Sequence, residues 1–141
     1  MAIYRNKSTK VDVQIGAMKS IYPQFKVIKK KSAEVEFVGV LQPKPEFRKF
    51  KISVKYRGNL KPQVKVIEPK LVENPPHFYK SSGTLCLYHP KDFRWTKDKL
   101  IAKYILPITS AWLYFYEVWL ETGVWYGPEA SHENSKNPKD D

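Results

Sequence analysis

The stretch EVEFVGVLQPKPEFRKFKISVKYRGNLKPQVKV, residues 34–66, decides the fold of this chain. Apolar and polar residues alternate along it, as they do in strands that bury one face. The alternation predicts three strands, over residues 34–41, over residues 47–57 and around Val64 and Val66. Proline and glycine mark the two connections between them, which is typical of hairpins. We therefore expect an antiparallel meander.

A helix is predicted before the meander and a long irregular connection after it. Val11, Ile15 and Met18 recur at helical spacing, with Ser8 or Thr9 as the cap and Pro23 as the stop. Prolines and a Ser-Ser-Gly turn make residues 68–96 mostly irregular. Long connections of this kind commonly carry function.

Two consecutive helices are predicted at the C-terminal side of that connection. Thr96 caps the first, Pro107 interrupts the pattern, and the second ends before Gly123. Ten of the 20 aromatic residues, including all four tryptophans, lie between Phe93 and Tyr126, and their helical spacing is typical of core packing.

The length of 141 residues fits one domain of the α+β class. We expect this domain to span residues 1–126. Residues 127–141 lack periodicity and apolar content, which predicts a flexible C-terminal tail.

The net charge of +11 is unevenly distributed. Residues 1–72 hold 17 lysine and arginine residues against 5 acidic ones, whereas the second half is close to neutral. A basic half fits docking to an acidic protein or to nucleic acid, and it equally fits a solvated lysine-rich face. Binding to nucleic acid is the least supported of these hypotheses, because no stacking aromatic residues interleave the lysines in a recognised pattern.

One cysteine and three widely spaced histidines exclude an internal disulfide and a zinc-ligand pattern. We therefore expect no metal and no cofactor. No apolar run reaches 18 residues and the first residues lack an apolar segment, so we expect no membrane association and a cytoplasmic location.

The one cysteine, Cys86, lies in HFYKSSGTLCLY, residues 77–88. The run Gly83-Thr-Leu-Cys-Leu87 resembles the active-site segment of ubiquitin-conjugating enzymes, and the order of helix, meander, proline-rich loop, His, Gly, Cys, Trp and helices agrees with that family. The resemblance implies the ubiquitin-conjugating-enzyme fold and a Cys86 that forms a thioester. Such a sulfur must be reachable, and we expect its loop position to leave it open to solvent.

The C-terminal segment from Trp112 to His132 is similar to the bacterial branch of this family found in antiphage CBASS operons. That branch implies a transferase in antiviral defence, whose protein substrate is a cGAS/DncV-like nucleotidyltransferase. An activating enzyme is a further candidate partner.

The chain departs from the family at one position that matters for catalysis. The family's His-Pro-Asn is replaced by His77-Phe-Tyr79, so the asparagine that stabilises the oxyanion is missing. The oxyanion donor must then be a different group. The candidates are the hydroxyl of Tyr79, another hydroxyl of the loop (Ser81, Ser82 or Thr84) and a backbone N–H. His77 is assigned a supporting role, holding the loop by hydrogen bonding.

The sequence leaves undecided the roles of the other charged groups near the cysteine. Lys80, Lys91, His77 and His89 are candidates for the positive neighbour that favours a thiolate. His89 with Asp92 is also a candidate pair of base and orienting carboxylate. The competing hypothesis to an acyl carrier is a catalytically weak relative that binds a partner non-covalently.

Overall fold

The computed structural model describes residues 10–128. Helix α1 spans Lys10–Ile21, and four strands follow it: β1 (Lys26–Lys30), β2 (Val35–Leu41), β3 (Phe50–Arg57) and β4 (Leu60–Glu68). Each strand pairs antiparallel with the next, in chain order. The α+β class and the meander are as predicted; the proposed caps of α1, Ser8 and Thr9, lie outside the described residues.

The alternation in β3 creates the inner face of the sheet. Phe50, Ile52, Val54 and Tyr56 are buried, while the lysines between them point away from the core. A two-residue turn then joins β3 to β4, and its first residue, Gly58, has a φ of 67° that residues with a β-carbon rarely adopt. One buried cluster joins this face to α1 and to the C-terminal helix.

Strand β1 was missed by the sequence analysis. All five of its residues are exposed, so KVIKK carries no alternation that would report a buried face. It forms the edge of the sheet, where lysines discourage pairing with another chain.

The two predicted C-terminal helical stretches are present, but the break predicted between them near Pro107 is absent. A π-helical turn, Ile101–Ile105, continues directly into α2, Leu106–Thr122. Pro107 lies in the first turn of α2, where its missing N–H and its ring are accommodated next to the wider π turn. Thr96 does not cap the helix, because the residue before the first turn is Leu100 and it provides no side-chain cap.

The C-terminal end of α2 turns the chain back onto the helix. Gly123 has a φ of 79°, and its N–H donates to the carbonyl of Trp119 at 2.8 Å, which closes the helix as predicted. Trp125 consequently packs against Trp112 and Phe115 of α2.

Gln14 ties α1 to the start of the C-terminal helix and gives a first testable prediction. Its side chain is 2% exposed, donates to the carbonyl of Lys99 at 2.7 Å and accepts from the N–H of Ile101 at 2.9 Å. Gln14→Leu leaves two backbone groups without partners, so the free energy of unfolding measured in urea should fall by about 3 kcal/mol. The control Gln24→Leu removes only an exposed bond of 3.3 Å to Val40 and should change stability little; equal losses in the two variants would contradict the role of Gln14.

No helix within residues 10–128 combines the length and apolar content that crossing a bilayer requires.

Candidate active site

The segment that carries the cysteine forms a small hairpin. Strand β5 (Phe78–Tyr79) pairs antiparallel with β6 (Thr84–Leu85), and the four residues between them make a tight loop. Gly83 allows the reversal with a φ of 71°, and its N–H donates to the carbonyl of Tyr79 at 2.8 Å. The hairpin gives the otherwise irregular connection a fixed geometry.

The backbone of His77 holds Cys86 in place. The Cys86 N–H donates to the His77 carbonyl at 2.9 Å, and the indole N–H of Trp112 donates to the same oxygen at 3.0 Å. His77 has a φ of 52°, a region that non-glycine residues occupy mainly where the surroundings enforce it. Its ring lies 4.9 Å from that of Trp125. These contacts join the hairpin to α2 and to the segment after it.

The expectation that the loop position leaves Cys86 open to solvent is wrong. The residue is 6% exposed. It lines a cavity of about 360 Å³ instead. The walls of this cavity, which we call the cysteine cavity, are Cys86, Leu87, Tyr88, His89, Asp92, Ile108, Ala111, Trp112, Phe115, Trp125 and Pro128.

Tyr79 lies diagonally across the hairpin from Cys86. Because Tyr79 pairs with Thr84 and side chains alternate along a strand, Tyr79 shares one face with Thr84 and with Cys86 two residues on. The Tyr79 hydroxyl accepts a hydrogen bond from Nζ of Lys61 at 3.2 Å, and the same Nζ lies 4.3 Å from the centre of the tyrosine ring.

Lys61 is a functional candidate that the sequence analysis missed. It is on β4, 25 residues before Cys86, and no local signal connects the two positions. Burial lowers the pKa of the Lys61 ammonium, ionisation of Cys86 raises it, and the charge of Arg57 lowers it further. Lys61 is therefore within electrostatic range of the cysteine.

The other hydroxyls and cations considered for this site are arranged differently. Ser82 and Thr84 hydrogen-bond to each other through their hydroxyls at 2.7 Å. Lys80 lines a separate cavity beside β4, and Lys91 is exposed.

His89 and Asp92 both line the cysteine cavity, but they do not form a base with an orienting carboxylate. The Nδ1 atom of His89 accepts the backbone N–H of Lys91 at 3.1 Å. That nitrogen therefore carries no proton for Asp92, and within residues 10–128 the other ring nitrogen makes no hydrogen bond to the Asp92 carboxylate either. The sequence proximity of these two residues therefore does not create the proposed pair.

The buried hydroxyl of Tyr88 leads us to expect that the folded state loses stability at high pH. Burial raises the pKa of its hydroxyl from 10.0 to about 12, and negative charge on Cys86 adds to the shift. Between pH 10 and 12 the unfolded chain releases a proton that the folded chain retains, so stability should fall as the pH rises. Tyr88→Phe should make this fall shallower in urea titrations at pH 9, 10 and 11. Part of the fall should remain, because burial also raises the pKa of the Tyr56 hydroxyl.

The matched control for this measurement is Tyr126→Phe, which removes a hydroxyl from an exposed side chain. It should follow the unsubstituted chain at every pH. An alkaline slope that Tyr88→Phe leaves unchanged would contradict the retained proton.

Some predictions at this site fall outside the described range. His132 and residues 129–141 of the predicted tail are not described, so the domain boundary at residue 126 stays a prediction. Within residues 10–128, no three His, Cys, Asp or Glu side chains are grouped so as to hold a metal ion.

Comparison with known proteins adds one finding to this geometry. Residues 14–133 match the family model described as Type II CBASS E2 protein. The match begins inside α1 and runs past the end of α2, so it includes the hairpin and every described wall of the cysteine cavity. No curated protein matches the chain.

Proposed function

Because the chain belongs to the Type II CBASS E2 protein family, we propose that it is a ubiquitin-conjugating-type acyl carrier of antiphage defence. Cys86 accepts the C-terminal carbonyl of a partner protein as a thioester and passes it to an amine. The observation that supports this most is that the one cysteine of the chain lines a cavity with room for a foreign chain terminus beside it. The partner is a cGAS/DncV-like nucleotidyltransferase, and an activating enzyme supplies the activated carbonyl.

In the loading step the Cys86 thiolate attacks the activated C-terminal carbonyl. A carbon–sulfur bond forms and the activating group leaves with the electron pair of its bond. A free thiol near pH 7 is only a few per cent ionised, so a nearby positive charge helps. Lys61 supplies that charge, and His77 fixes the backbone from which the sulfur extends.

In the transfer step an amine attacks the thioester carbonyl. The carbonyl oxygen becomes an oxyanion, the carbon–nitrogen bond forms, the carbon–sulfur bond breaks to release the Cys86 thiolate, and the amine loses its proton to solvent. Tyr79 takes the place of the missing asparagine as the oxyanion donor. An ammonium only donates, so the Tyr79 oxygen is the acceptor in its bond with Lys61.

The test is to co-express the chain with the proteins encoded beside its gene and to measure intact masses after denaturation without reductant. We expect a species whose mass is the sum of two proteins less one water. Dithiothreitol and neutral hydroxylamine should each release it, because both cleave thioesters. A complex that separates on denaturation would contradict the carrier function.

A non-covalent scaffold is the second candidate, and the burial of Cys86 is the observation that favours it. The two candidates differ in the reactivity of the folded thiol. Since the chain has one cysteine, an aromatic disulfide reagent reports Cys86 alone. A carrier should react fully in the folded state, whereas a scaffold should react only after unfolding.

A further inference from the structure

Lys61 is held at both ends beside the hairpin that carries the cysteine. Nε of Arg57 donates to the backbone carbonyl of Lys61 at 3.1 Å, which fixes the start of β4 just after the turn. At the end of the side chain, Nζ donates to the Tyr79 hydroxyl at 3.2 Å and lies 4.3 Å from the centre of that ring. The lysine therefore reaches from β4 to the face of the hairpin that Tyr79 shares with Cys86.

We propose that Lys61 is an internal acceptor of the acyl group carried by Cys86, so that a loaded chain modifies itself at this lysine. The inference rests on the proposed function of Cys86 and adds a target to it. The Lys61 ammonium gives up one proton to solvent, and the amine attacks the thioester carbonyl. The carbon–nitrogen bond forms, a second proton leaves to solvent, and the carbon–sulfur bond breaks to release the Cys86 thiolate. The product is an amide on Lys61 that neither reductant nor neutral hydroxylamine cleaves.

The distances place this amine within reach of the thioester. In the proposed transfer step Tyr79 donates to the carbonyl oxygen, and such a hydrogen bond is about 2.8 Å long. Because Nζ is 3.2 Å from the Tyr79 oxygen, it lies at most about 6 Å from that carbonyl oxygen. Rotation about the flexible stem of an exposed lysine covers the rest of the path to an attack distance of about 3 Å.

Loading itself favours the amine form of Lys61. The residue as a whole is exposed, but its ammonium lies against the Tyr79 ring, and burial there lowers its pKa. Ionised Cys86 raises this pKa, and the charge of Arg57 lowers it. A thioester carries no charge, so acylation of Cys86 removes the influence that raises the pKa and leaves the two that lower it. The lysine thus becomes a better nucleophile once an acyl group is in place.

The experiment loads the full chain with the acetylglycine thioester of mercaptoethanesulfonate and adds no acceptor amine. The Cys86 thiolate takes the acetylglycyl group, and mercaptoethanesulfonate leaves as its thiolate. Excess reagent is then removed and the loaded chain is incubated in phosphate buffer. Intact masses before and after neutral hydroxylamine distinguish the thioester from the stable amide, and peptide mapping locates the amide.

We expect at least about tenfold more stable amide at Lys61 than at any other lysine, because a group held beside the reacting carbonyl acts at a high effective concentration. The first-order rate constant of conversion should be independent of protein concentration. Lys61→Arg keeps the positive charge but offers no nucleophilic amine, so the converted fraction of the thioester should fall at least about tenfold. The matched control is Lys80→Arg, a lysine next to Tyr79 that lines the separate cavity beside β4, and it should convert like the unsubstituted chain.

The contrary outcomes differ from one another. A thioester that only hydrolyses, or that converts equally well in Lys61→Arg, would overturn the internal acceptor and leave the carrier function standing. A rate constant that rises in proportion to protein concentration would assign the reaction to two chains and overturn it too. Acylation of Lys61 that persists in Cys86→Ala would show direct reaction with the reagent, which also contradicts transfer from the cysteine. No acylation of Cys86 would overturn both this inference and the proposed function.

Discussion

Cys86→Ala is expected to remove every covalent adduct between this chain and its partner protein. Alanine cannot accept an acyl group, and the chain has no second thiol to replace it. The adduct in denaturing, non-reducing electrophoresis should fall below detection, while binding of the two folded proteins should persist. The fold should tolerate the change, because a buried cysteine outside a disulfide packs as a small apolar residue.

Cys86→Ser is the control for this prediction. The serine hydroxyl has nearly the same size and forms an oxygen ester, which dithiothreitol does not cleave. We expect a slower but reductant-resistant adduct that mild alkali hydrolyses. If the adduct survives Cys86→Ala unchanged, the acyl group is carried elsewhere and the proposed chemistry fails.

Tyr79→Phe is expected to slow transfer to an amine by about a hundredfold, since removing one oxyanion donor has an effect of this order. The preformed thioester should be isolated first and then mixed with free lysine, so that the measured rate reports transfer alone. Loading should change much less, because the Lys61 charge near Cys86 remains.

Two neighbouring variants distinguish catalysis by Tyr79 from support of the hairpin. Ser82→Ala removes a different hydroxyl of the same hairpin and should leave transfer within a few-fold of the original rate. Lys61→Met removes the bond to the Tyr79 oxygen and should slow both steps. A larger loss in Ser82→Ala than in Tyr79→Phe would assign the donor to the Ser82–Thr84 pair.

The periodic parts of the fold were predictable because their burial is periodic. α1 buries Val11 and Met18 on one face, and β2 and β3 alternate strictly enough to identify their inner faces. β1 was not predictable, because it buries none of its residues and is held by backbone pairing to β2. The break predicted at Pro107 is absent because Pro107 lies in the first turn of α2, where proline is tolerated, and not in a helix interior.

The sequence by itself determined that the three candidate site residues lie in one hairpin. His77, Tyr79 and Cys86 fall within ten residues, and a glycine-containing turn brings them together. Only the tertiary structure decided how that site is surrounded. Lys61 comes from β4, and the cavity walls come from α2 and the chain after Gly123, so both depend on which distant elements pack together. Burial and electrostatic reach are properties of that packing, and a linear pattern of residues does not encode them locally.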